Sequence, residues 1–135
     1  MKAITIPTPG DADALVLDEV PTPDISAREV LVEVAAAGVN RADLMQRQGF
    51  YPPPPGASTY PGMEVSGTIS ALGSDVTGWS VGDEACALIS GGGYAEQGAV
   101  PDTPPPPVPE GVPFGGAPPR PAGGCTAWSP VLRPP

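Results

Sequence analysis

Apolar and polar residues alternate most clearly in EVLVEVAAAGV, where Val30, Val32 and Val34 fall on one face and Leu31 and Glu33 on the other. A repeat of two predicts a strand with one face buried, and Gly38 is expected to end or bend it. EVSGTISALGS reads as a second strand with Val65 and Ile69 inward, and Gly67 within it marks a bulge or a close backbone approach. MKAITI and ALVLDEV (Ala14 to Val20) suit strands of a two-faced sheet, and GDEACALIS and YAEQGAV complete the set around the triple glycine Gly91 to Gly93. Many short strands separated by turn signals predict a barrel or sandwich.

One segment breaks the β pattern. In NRADLMQRQGFYPPPPG, Asn40 is a favoured helix N-cap, and Asp43 three residues later meets the positive helix end. A helix is predicted over Arg41 to Gln48, closing on Gly49. It is short, so packing by Ala42, Leu44 and Met45 is expected to hold it. Phe50 and Tyr51 leave it just before Pro52 to Pro55, a run that favours a stiff, extended course.

Composition sharpens this reading. The chain has 135 residues, room for about one domain, and 22 prolines and 18 glycines favour strands and turns over helices. Fifteen acidic against six basic residues give a net charge of −9, which repels phosphate backbones and anionic lipid, so neither nucleic acid nor membrane is an expected partner. No apolar run is long enough to span a bilayer, and prolines follow the start too early for a secretory signal, so a soluble, cytoplasmic protein is expected. Cys86 and Cys125 fit neither a disulfide framework nor a zinc spacing, and Cys86 reads as a core residue. The chain contains no histidine, which excludes hydrolases built on a histidine base and removes the commonest catalytic zinc ligand.

Taken in order, the strand, the NRADLMQRQG helix, the YPPPPG loop and PGMEVSGTISALGSDVTGWSVGDEACAL resemble the N-terminal, GroES-like catalytic domain of zinc-independent quinone oxidoreductases of the medium-chain dehydrogenase/reductase superfamily. The resemblance implies a mainly β, partly open barrel with one or two short helices over residues 1–111, followed by an irregular Pro/Gly-rich tail over residues 112–135. Asn40 would lie near the nicotinamide of NADPH or NADH, and Tyr51 would form an aromatic wall against a planar, quinone-like substrate, with water or Tyr51 supplying protons. From the residues alone, Asn40 serves equally as a helix cap and Tyr51 as a loop anchor. Metal-dependent relatives carry cysteine at Asn40 and histidine at Met63, so the resemblance implies no metal here, Glu64 alone being too little. A quinone, already electrophilic, can accept hydride without a Lewis acid.

The last third departs from that pattern. More than half of the prolines follow Val100. VPEGV matches the family's lead toward its nucleotide-binding domain, and CTAWS resembles a segment that makes Thr126 a candidate cofactor contact. FGGAPPRPAGG between them cannot form the expected helix. The tail is expected to be a frameshifted remnant, with a disordered proline-rich ligand as the other reading, and to show little hydrogen-exchange protection. No GxGxxG follows a strand, and SGGGYAE runs on into a strand instead of a helix start, so the family's Rossmann domain is absent from this sequence. The chain is thus expected to be a truncated oxidoreductase fragment, inactive alone and unable to bind the dinucleotide tightly, of a family whose intact members are commonly homodimers. The alternatives are a zinc-free enoyl reductase fragment and a non-catalytic binding module.

Overall fold

The computed structural model describes residues 1–102; the boundary at residue 111, the proline-rich tail and Thr126 lie outside the described residues. Six strands form in chain order: β1 (Lys2–Thr5), β2 (Val16–Glu19), β3 (Glu29–Ala37), β4 (Glu64–Leu72), β5 (Glu84–Leu88) and β6 (Gln97–Pro101). Among the described residues, one α-helix, α1 (Arg41–Arg47), lies between β3 and β4, and a single 3-10 turn covers Ala12–Ala14. The architecture is mainly β, as the strand pattern predicts, and its sheets are open.

The principal sheet has the order β5-β4-β3-β6 and is antiparallel throughout. Alternation dictates its inner face: Val30 and Val32 on β3 and Val65 and Ile69 on β4 are all but completely buried, while Glu33 points to solvent. Ala85, Ala87, Ile89 and Val100 complete the core, with Val34, Leu72, Val76 and Trp79 packed against it. Cys86 is buried as expected.

β1 and β2 form a separate two-stranded sheet. A bridge between Ala3 and Ala95 and a bond from the Ile4 N–H to the Tyr94 carbonyl (2.7 Å) tie β1 to the approach of β6, so the barrel is only partly drawn together. The second strand is shorter than the sequence suggests. Ala14 falls in the 3-10 turn, and all four residues of β2 are exposed, Leu17 by 64%. Among the described residues β2 pairs with β1 alone, and none of its four residues is buried. Among the described residues, no helix is long and apolar enough to cross a membrane.

Gly67 lets the two central strands meet. It sits on β4 opposite Val34, between two register shifts in the β3–β4 ladder. A Cβ there would overlap the Glu33 carbonyl of β3 and crowd the Val32 Cγ1 at 2.9 Å. The close backbone approach expected at this glycine is therefore real.

Candidate functional site

Gly38 ends β3 and donates its N–H to the Glu64 carbonyl (2.9 Å). It also makes room for the Glu64 side chain, because a Cβ at Gly38 would stand 2.5 Å from Glu64 Oε2. Two residues on, extended backbone (φ −114°, ψ 156°) places Asn40 as the N-cap of α1. Its Nδ2 donates to Glu64 Oε2 at 3.4 Å, so a half-buried amide and a buried carboxylate face each other at the helix entrance.

The helix has Asn40 as its cap, as expected, and its last residue is Arg47, with Gln48 as C-cap and Gly49 at φ +84°. Its anchor differs from the expected one. Leu44 is 38% exposed, Ala42 and Met45 are half-buried, and the buried residue of the helix is Asp43. Its Oδ2 accepts the Asn40 N–H (2.7 Å) and the Tyr94 hydroxyl (3.0 Å), while its Oδ1 accepts the Gly62 N–H (3.1 Å). The short helix is thus held by a buried anion with three donors and not by an apolar stripe, which a seven-residue segment is too short to present.

The glycine-rich segment closes the arrangement from the other side. Gly92 N–H donates to the Tyr60 carbonyl (2.8 Å), Gly93 N–H to the Gly62 carbonyl (2.9 Å) and Tyr94 N–H to the Pro61 carbonyl (3.0 Å). Gly62 (φ +100°) must be glycine twice over, for its conformation and because a Cβ would run into the Tyr94 backbone nitrogen.

At the far end of α1, Phe50 is 74% and Tyr51 37% exposed, the tyrosine standing at the start of the proline loop. The seven-residue helix, about 10 Å long, and the turn at Gly49 lie between Asn40 and Tyr51 in the chain. The structure leaves both side chains reachable but joins them by no hydrogen bond among the described residues. A cleft of about 330 Å³, lined in part by Pro54, Ser58, Ile89 and Pro101, includes neither. Asp43 was legible only as a charge at a helix end; Tyr94 and Gly62, its remote partners, carry no local signal of that role.

Two protons are held tightly here. Burial raises the Cys86 thiol above its ordinary value, and the Glu64 carboxylate adds to the effect. Burial, then the charge of Asp43 and the bond to it, push the Tyr94 phenol above its ordinary 10.0. The folded state therefore binds the phenolic proton more firmly than the unfolded chain. The associated stability is complete below about pH 10 and is lost as pH rises through the unfolded and then the folded value. Urea midpoints between pH 9 and 11 are expected to fall more steeply for the wild type than for Tyr94→Phe; equal slopes would contradict this.

Residues 26–110 match the alcohol dehydrogenase GroES-like domain model. The chain belongs to this family. Rat quinone oxidoreductase is 34% identical over 116 residues, covering 84% of this chain and 35% of the rat protein. The zebrafish synaptic vesicle membrane protein VAT-1 homolog is 42% identical over 92 residues, 68% of this chain and 19% of that protein. Among solved structures, the quinone oxidoreductase from Coxiella burnetii superposes with a TM-score of 0.83 at 28% identity, over 94% of this chain and 43% of its own. The CurK enoyl reductase gives 0.82 at 27% identity, over 94% and 41%. A mycobacterial protein complexed with NADPH gives 0.71 at 31% identity, over 84% and 34%. This GroES-like domain is thus a member of the medium-chain dehydrogenase/reductase superfamily of oxidoreductases, and it spans well under half the length of these relatives.

Proposed function

We propose that this chain is the catalytic-domain portion of an NAD(P)H-dependent oxidoreductase that reduces a quinone without metal, and that it does not turn over alone. The observation that carries the reading is the Asn40–Glu64 contact. Where metal-dependent relatives would offer a thiolate, this chain has an amide whose nitrogen donates to the neighbouring carboxylate. The half-buried Met63 adds only a thioether, and among the described residues no three His, Cys, Asp or Glu side chains gather into a metal-binding group. Amide nitrogen and thioether are poor zinc donors.

The residues present fit one end of the cofactor. Asn40 and Tyr51 offer an amide and an aromatic face suited to a nicotinamide and a planar acceptor. The phosphates find no cradle in Gly91 to Gly93, because that segment is packed on its own chain: a Cβ at Gly91 would stand 2.7 Å from the Ser58 carbonyl oxygen and one at Gly93 2.9 Å from that of Gly62. When bound, the nicotinamide would supply the hydride; the chain's own residues would orient the acceptor and exclude water.

The similar fit to the CurK enoyl reductase favours one second reading, reduction of an activated double bond. Both are tested by replacing the corresponding segment of rat quinone oxidoreductase with residues 1–102 of this chain and following NADPH oxidation. Turnover with a quinone is expected. Tyr51→Ala is expected to lower kcat/KM two- to tenfold, the equivalent of an aromatic contact of about 0.5–1.5 kcal/mol, and Asn40→Ala to raise the KM for NADPH. Because the ring is exposed, Tyr51→Ala should change stability by only about 0.5 kcal/mol. A folded chimera that oxidises NADPH only with an enoyl thioester would replace the first reading by the second, and alanine variants as active as their parent would remove both residues from the site.

A further inference from the structure

We propose that Asp43 is the positioning residue of this site, fixing the Asn40 side chain against Glu64 by gathering three chain segments onto one buried carboxylate. The three donors come from the helix entrance, from the Pro61–Gly62 turn and from the segment after Gly93, and they approach both oxygens. A residue needed only to cap α1 would require one acceptor. An asparagine would offer one oxygen and turn an NH2 toward a donor. Only a carboxylate satisfies donors arriving at both of its ends. Among the described residues no cation pairs with Asp43, so neutral donors and the helix entrance balance a charge that is 4% exposed.

The geometry explains how Asp43 acts through Asn40. Asn40 stands between two buried carboxylates: its backbone N–H is held by Asp43 at 2.7 Å and its side-chain amide reaches Glu64 at 3.4 Å. The longer bond is the one that moves if the cap shifts, since the helix has no other buried side chain to fix it. Tyr94 steadies the arrangement because its hydroxyl shares the oxygen that holds Asn40. The inference rests on the proposed function only for what Asn40 faces; its hold on Asn40 is independent of the reaction.

Asn40 is the only asparagine of the chain. Labelling the full chain with 15N-asparagine therefore gives a single side-chain NH2 pair by NMR, a direct reporter of the bond to Glu64. In Asp43→Ser, which keeps one short acceptor, and in Tyr94→Phe, that pair is expected to move toward its position in the urea-unfolded chain and to exchange several-fold faster, at temperatures where both variants remain folded. A pair that stays at its wild-type position in both variants overturns the proposal, even if melting temperatures fall, because Asp43 would then support the fold without setting Asn40. Should Asp43→Ser fail to fold, Tyr94→Phe decides alone by the same criterion. A displaced pair in these variants, together with a chimeric enzyme indifferent to Asn40→Ala, would uphold the positioning role and remove Asn40 from the proposed site.

Discussion

Gly67→Ala is expected to cost the fold about 3 kcal/mol or more, at or beyond the upper end of ordinary overpacking. The added methyl meets backbone, the Glu33 carbonyl of the adjacent central strand, which no rotamer change can move aside. Relief requires β3 and β4 to part where their register already shifts twice, and these strands carry Val32, Val65 and Ile69 to the centre of the core. Gly78→Ala is the matched control. Gly78 has φ +83° with open space around its Cβ position, so only a left-handed backbone penalty of about 1–2 kcal/mol applies. Denaturant melts with a shared slope measure the two losses. A Gly67→Ala loss no greater than that of Gly78→Ala would show that the strands part easily, contrary to the packing described.

Asp43→Ala is expected to cost about 3–5 kcal/mol. The change strips the acceptor from the buried Gly62 N–H, from the Tyr94 hydroxyl and from the Asn40 N–H. An unsatisfied buried donor costs about 1–3 kcal/mol, and loss of a cap about 1 kcal/mol. Water can reach the half-buried partners, which keeps the sum below three full penalties. Against the stability of a typical small domain, about 5–15 kcal/mol, this is a large share. The same melts check it, and a loss below about 1 kcal/mol would mean that the three donors find other acceptors and that Asp43 anchors nothing.

Much of the fold was legible because period-two patterning is a local property. Val30, Val32, Val65 and Ile69 read as inward-facing and are buried, and Gly67 read as a bulge or a close approach because a glycine amid β-formers has few other uses. Val16 and Leu17 lie in the strand their segment suggests yet stay exposed, because apolarity marks a residue that can be buried, whereas burial needs a second layer, which β2 lacks among the described residues. Asn40 and Tyr51 were picked out as candidates, and the structure leaves both accessible. The anchor was assigned to Ala42, Leu44 and Met45 and not to Asp43, because Asp43 acquires its role from Gly62 and Tyr94, which only the folded chain brings near. Hydrogen bonds between distant residues leave no periodicity to read.

The sheet order also dictates a sequence of events. β3 takes β4 on one side and β6 on the other, pairing Val30 with Leu72 and with Val100. Both neighbours are synthesised later, and β6 later by far. At roughly 5–20 residues per second, the ribosome releases β3 several seconds before its second partner exists. Pairings this distant in the chain close slowly, on the millisecond-to-second scale. For that interval the most apolar strand of the domain has one edge open to any other extended chain, so a chain that stops short of Gln97 keeps the edge open and is expected to aggregate.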